Sequence, residues 1–165
     1  DLMGDIDCVL TFQELQDIFE ALEVDFSKME EDENEHSAAA GRLYARTGGV
    51  SQAVKESLAS LDEKYDLKPV CACGVAECKE MLQKILDGHV EGNFFEGMAC
   101  PGGCVGGPKR IMEIEKTTEL VNEYADQAKY RTPGENPYVL DLIQRLGFHT
   151  VEDFIENSRI LTRTF

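Results

Sequence analysis

The residues of this chain best suited to chemistry are Cys100 and Cys104. They are separated by three residues in the run Met98-Ala99-Cys100-Pro101-Gly102-Gly103-Cys104-Val105-Gly106-Gly107-Pro108. Pro101 and four glycines lie between and after them. A packed core has no need of that composition. Glycine lets a backbone take positive φ and come close to a bulky group, so two thiols on such a loop can aim at one inorganic object. Thiolates are the ligands of iron–sulfur clusters, and a four-iron cubane takes four of them. This loop supplies two. A C-x3-C spacing alone is equally met by unligated thiols, by a short disulfide or by a simple zinc site.

The other candidates carry less. Cys71 and Cys73 alternate on a strand pattern and Cys78 follows on a helix pattern. The apolar residues around them predict core thiols rather than a second metal site. Gly103 to Lys109 looks superficially like a phosphate loop, but it lacks the Gly-Lys-Ser/Thr ending and carries Pro108 where an amide should point. His36, His89 and His149 are scattered without ligand spacing. The acidic run Glu30-Glu31-Asp32-Glu33-Asn34-Glu35 lacks the central glycine of a calcium loop and reads as a solvated surface.

The elements that must position the loop follow from periodicity. Ile6 to Leu10 reads as a short buried strand, and Thr11 with Glu14 forms a capping box that starts a helix running to about Leu22. Thr47-Gly48-Gly49 opens a second helix with Val50, Val54, Leu58 and Leu61 on its apolar face. Pro69 to Gly74 reads as a strand, Val75 to Asp87 as a helix closed by Gly88, and Asn93 to Met98 as a third strand that delivers the cysteine loop. Alternating strands and helices predict an α/β fold, a small open sheet with crossover helices, with sites beyond the carboxyl ends of the strands. From about Lys109 the pattern is helical: Met112 to Lys129, Pro137 to Leu146 and Thr150 to Leu161. The expected organisation is an α/β lobe over 1–108 carrying the loop, and a helical C-terminal tail over 109–165 packed on it.

Composition bounds the function. With 165 residues the chain is large enough for one core, and 42% apolar content is ordinary for a globular domain. A net charge of −16 argues against nucleic-acid binding, which needs a basic footprint. No apolar run approaches a membrane span. No charged-then-apolar leader opens the chain. Asp1 leads at once into a strand pattern, and the start reads as cut from a longer protein. Clustered cysteines in a chain too long to need disulfide staples predict reduced thiols and a cytoplasmic location.

The decapeptide Met98 to Gly107 resembles the last cluster-binding motif of the FeFe-hydrogenases, the iron-only hydrogenases. Three other stretches agree, in the family's order. Asp5 to Leu15 resembles the family's D-A-V-L-T-x-x-E-L segment. Leu43-Tyr44-Ala45-Arg46-Thr47-Gly48-Gly49-Val50 resembles its F-G-x-T-G-G-V turn. Glu135-Asn136-Pro137 with Leu161-Thr162-Arg163-Thr164-Phe165 resembles its terminal E-N-P and L-H-T-x-Y. The resemblance implies the second lobe of a hydrogenase catalytic domain. That domain interconverts protons plus electrons and molecular hydrogen at an H-cluster, a 4Fe-4S cubane joined to a diiron subcluster.

By this resemblance Cys100 binds the cubane, Cys104 binds the cubane and bridges to the diiron unit, and Met98 lies against that unit. Tyr44 and Ala45 hold the places of a family Phe-Gly beside the active site, a departure from the pattern. The family's T-S-C-C-P and P-C-x-x-K motifs, with two more cluster cysteines, a relay cysteine and a lysine, are not in this chain. The implied partners are the N-terminal remainder of the same hydrogenase and a ferredoxin-type electron carrier. The complete cofactor is then expected in the full-length protein and not in the isolated segment. The glycine amides of the loop are expected to donate to cluster sulfurs. Region 62–69 is short against the family, which suggests a divergent branch. The alternatives are a hydrogenase-like redox or hydrogen sensor without turnover, and a zinc-binding module.

Overall fold

The computed structural model describes residue 4 and residues 6–30, 36–59 and 65–159, with the side chain of Glu152 excepted. The chain is α/β. Helix α1 spans Phe12–Ala21, α2 Ala39–Arg42, α3 Gly49–Ala59, α4 Val75–Leu86, α5 Ile114–Asp126, α6 Pro137–Arg145 and α7 Val151–Asn157. Strands β1, Pro69–Cys73, and β2, Phe94–Met98, pair in parallel, with Cys71 opposite Glu96 and Cys73 opposite Met98. Helix α4 is the crossover between them, as a parallel pair requires.

Local chemistry starts and stops these elements. At α1 the Thr11 hydroxyl accepts from the Glu14 amide, and the Glu14 carboxylate accepts from the Thr11 amide at 2.8 Å. The same Thr11 amide holds the Glu14 carboxyl below its usual range, with help from the hydroxyl. Gly88, at φ +77°, follows α4 as expected of a C-terminal glycine. Asn136 caps α6 ahead of Pro137, and Thr150 caps α7.

The core is built of small residues. Ala38, Ala39, Ala40, Leu43, Ala53, Ala72, Val105, Ala125 and Ile143 are its buried apolar members. Alanines let the short α2 lie close against α3 and α5, where Arg42 stacks on the Tyr124 ring at 4.0 Å. The helical tail joins the body through α2: the amides of Ala39 and Ala40 donate to the carbonyls of Tyr130 and Arg131. Asn136 Nδ2 donates to the His36 carbonyl at 2.6 Å.

The structure corrects several expectations. Ile6 to Leu10 makes no strand, and Val9 is 83% exposed. A strand needs a neighbour to satisfy its backbone, and the described sheet offers this segment none. On α3 the buried residues are Gly49, Ser51 and Ala53, while Val50, Val54 and Leu58 are half-buried. Small residues face inwards there because the helix packs close to the strands and to the turn before it. Leu61 and the terminal Leu161 to Phe165 lie outside the described residues. The tail helices are shorter than their patterns suggest. Cys71 is exposed and Cys73 and Cys78 are half-buried, so none is a core thiol. The sulfurs of Cys71 and Cys73 meet polar groups, the Ser51 hydroxyl and the Gly102 amide, and not an apolar core.

Candidate metal and cofactor site

The cysteine loop begins where β2 ends. Cys100 to Gly103 form a tight turn in which the Gly103 amide donates to the Cys100 carbonyl at 3.0 Å. Pro101 occupies the second position and Gly102, at φ +84°, the third, which is the sequence chemistry that this turn selects. Gly103 continues at φ +94°, and a Cβ there would lie 2.7 Å from the Thr47 nitrogen. Cys104–Gly106 then make a single 3-10 turn. A Cβ on Gly106 would overlap the Pro101 carbonyl oxygen. The loop therefore folds back on itself and against the Arg46–Thr47 backbone, at distances that only glycine permits.

All four glycine amides are already engaged. Gly103 donates to Cys100, Gly106 to the Gly103 carbonyl and Gly107 to the Cys104 carbonyl. Gly102 donates to the sulfur of Cys73 at 2.9 Å. The expectation that these amides point at a cluster is corrected. Closure of the loop on itself uses three of them, and Cys73 of β1 takes the fourth.

Glu96 fixes the geometry behind the loop. It lies on β2 two residues before Met98 and is only 5% exposed. Its carboxylate accepts from the Gly48 amide at 2.6 Å, the Ser51 amide at 2.7 Å and the Ser51 hydroxyl at 2.6 Å. The amides at the amino end of α3 have no partner within the helix, and that end carries partial positive charge. A buried carboxylate is the natural occupant. It locks the Thr47-Gly48-Gly49 turn to the strand that delivers the cysteines. Sequence reading missed this residue. Its only signal is an acid in an otherwise uncharged strand.

The structure brings Ala45 and Cys104 together. Both line an apolar cavity of about 310 Å³ that also borders Phe12, Val105, Ile111, Met112 and Val121. Cys104 is exposed and Cys100 half-buried. Tyr44, on the single 3-10 turn Leu43–Ala45, is 50% exposed and does not line this cavity. Nor does Met98, which is half-buried, its carbonyl accepting from the Gly74 amide at 2.7 Å. The candidate residues thus surround the loop but do not share one wall. Among the described residues no three His, Cys, Asp or Glu side chains come together as a metal site.

The donor set fits an iron–sulfur group shared with other residues. Two thiols on a glycine-locked loop, one of them exposed beside an apolar cavity, provide half of a cubane's ligands. They do not make a complete site for one. Comparison with known proteins places the segment that carries the loop in a family. The family model described as "Iron only hydrogenase large subunit, C-terminal domain" matches residues 1–108.

The chain belongs to this iron-only hydrogenase family.

Its relatives cover more than one activity. It is 26% identical to the NADP-reducing hydrogenase subunit HndD of Solidesulfovibrio fructosivorans, over 86% of this chain and 30% of that protein. It is 24% identical to iron hydrogenase 1 of Clostridium pasteurianum, over 87% of this chain and 32% of that protein. It is 25% identical to the probable cytosolic Fe-S cluster assembly factor narfl of Dictyostelium discoideum, over 84% of this chain and 36% of that protein. The chain spans about a third of the length of these curated relatives. None of its described helices is long and apolar enough to cross a membrane.

Thiol accessibility in this family member is directly measurable. The sequence alone suggests that Cys100 and Cys104 outrun Cys8, Cys71 and Cys73 in alkylation. The structure changes that order. Cys8, Cys71 and Cys104 are exposed, whereas Cys73, Cys78 and Cys100 are half-buried. Under native conditions the first three are expected to label first by mass mapping. Cys100 labelling as fast as Cys104 would contradict the turn geometry.

Proposed function

We propose that this chain is the cluster-carrying lobe of a hydrogenase-type oxidoreductase, with Cys100 and Cys104 as iron ligands. The observation that carries the reading is the placement of Cys104. Its thiol is exposed at the end of a glycine-locked loop and borders an apolar cavity shared with Ala45. When bound, the H-cluster of such proteins supplies reversible reduction of protons to hydrogen. The chain's own residues do the rest. Cys100 and Cys104 hold metal, Glu96 and the glycine turns fix their backbone, and Phe12, Val105, Ile111 and Val121 line the cavity with apolar surface. Apolar surface around a metal group limits solvent access and so tunes the group.

In this reading the remaining thiolates come from the N-terminal remainder of the same protein, and electrons from a ferredoxin-type carrier. Residues 1–108 form the lobe that holds the loop, residues 109–165 the tail that buttresses it, and Met98 contacts the diiron unit. The location is cytoplasmic. The test is the full-length protein, matured and assayed for iron, for the infrared bands of diiron carbonyl and cyanide, and for hydrogen. Iron together with the bands and turnover supports the enzyme. The 165-residue chain alone is expected to bind little iron and evolve no hydrogen, because two thiolates cannot complete a cubane. Hydrogen from that chain without added protein would overturn the shared-site reading.

One specific observation favours a second reading. Tyr44 stands where the family carries Phe, next to Ala45 in place of Gly, and relatives include an assembly factor as well as hydrogenases. A cluster-bearing sensor or assembly protein would show iron–sulfur spectra without the diiron bands and without turnover.

A further inference from the structure

We infer that Cys73 is a positioning residue for the Cys100–Cys104 loop, acting through the amide of Gly102. The geometry stands by itself, and the consequence for a bound cluster rests on the reading of the loop proposed above. Cys73 is the last residue of β1 and lies opposite Met98 in the parallel register. Its sulfur accepts from the Gly102 amide at 2.9 Å and from the Thr47 hydroxyl at 3.6 Å. The Gly102 carbonyl in turn accepts from the Thr47 amide at 2.9 Å. The two peptide groups that flank Gly102 are thus held from separate directions, one by β1 and one by the turn before α3.

The physical need for such a clasp is local. Gly102 has no side chain to choose its conformation, and its φ of +84° is one of several regions open to glycine. An outside acceptor selects the orientation of the Pro101–Gly102 peptide and with it the direction in which Cys100 leaves β2. The clasp has a second effect. The amide that Cys73 holds is withdrawn from donation elsewhere. Hydrogen bonds to cluster sulfurs and thiolates tune the reduction potential. Releasing this donor beside Cys100 adds one such bond and favours the more reduced cluster.

Two variants and two measurements test this in the full-length protein. Cys73→Val fills the place of the sulfur with slightly bulkier apolar carbon and removes the acceptor, and Cys73→Ser keeps an acceptor. Hydrogen exchange at the Gly102 amide is expected to rise roughly tenfold in Cys73→Val and to stay near the parent rate in Cys73→Ser, with the Ala125 amide unchanged in both. After reconstitution with ferrous iron and sulfide, the cluster potential is expected to move positive in Cys73→Val and to return towards the parent value in Cys73→Ser. Parent-like Gly102 exchange in Cys73→Val overturns the proposal. So does a shift of equal size at Ala125, which would report general loosening. If the parent takes up no iron, the reading of the loop fails, and Gly102 exchange alone decides the role of Cys73. An unchanged potential with faster exchange overturns the tuning effect.

Discussion

Cys104→Ser is expected to abolish the diiron infrared bands of the matured full-length protein and to lower hydrogen turnover by more than about a hundredfold. Substitution of groups that only support a metal ligand already costs roughly 10–100-fold, and loss of the bridging ligand that Cys104 is proposed to be is expected to exceed that. The reason is softness. Thiolate is the sulfur donor that iron clusters select, and a serine hydroxyl is a hard and poorly ionised replacement. Cys104 is exposed at the cavity it shares with Ala45, so the substitution removes chemistry without disturbing a packed core. Cys100→Ser provides the control. That residue is half-buried at the turn, and by the proposed assignment it touches the cubane alone. Cys100→Ser is expected to lower iron content while leaving some diiron signal. Normal bands and turnover in Cys104→Ser would sink the bridging assignment.

Glu96→Ala carries the second large effect, and its readout needs no metal. Besides the Cys71 thiol at 3.9 Å, three close donors converge on this carboxylate: the Gly48 amide, the Ser51 amide and the Ser51 hydroxyl. Removing it strands all three close donors in a site that is 5% exposed. An unsatisfied buried donor costs about 1–3 kcal/mol. Water entering the space left by the side chain recovers part of that, so roughly 3–5 kcal/mol of stability is expected to be lost. Glu96→Gln retains one acceptor oxygen and loses the charge, and about half that cost is expected. The measurement is the denaturant midpoint, with ΔG taken from the linear slope. A loss below about 1 kcal/mol in Glu96→Ala would show that α3 and β2 are held together by other contacts. The consequence for function is indirect. The same bonds tie the Thr47 turn to β2, so a loosened Glu96 site lets the cysteine loop drift from its backing.

The contrast between these two residues shows where sequence reading succeeds. Cys100, Pro101 and the glycines specify a turn by their own backbone preferences, so the loop could be recognised before any packing was known. The same holds for the Thr11–Glu14 capping box, for Gly88 after α4 and for Asn136 ahead of Pro137. Each is a device that acts within a few residues. Periodicity likewise placed β1, α4 and β2 in order, because the alternation of a crossover unit is written in consecutive residues.

What lay beyond the sequence depends on partners far apart along the chain. Ile6 to Leu10 has the composition of a buried strand, yet Val9 is 83% exposed, since pairing is decided by a neighbour and not by the segment. Cys71 and Cys73 alternate as core residues would, but burial is a property of what covers a strand, and their sulfurs face Ser51 and Gly102 instead of an apolar core. The amides of the loop were legible as donors but not in their direction. Tertiary closure assigned one of them to Cys73, 29 residues away, and the others to the loop itself. Glu96 and α3 meet across more than forty residues for the same reason: a strand and a helix end lie side by side only once the chain has folded. The types of residue at the site were therefore set locally, whereas their mutual placement came from long-range hydrogen bonds that no local pattern encodes.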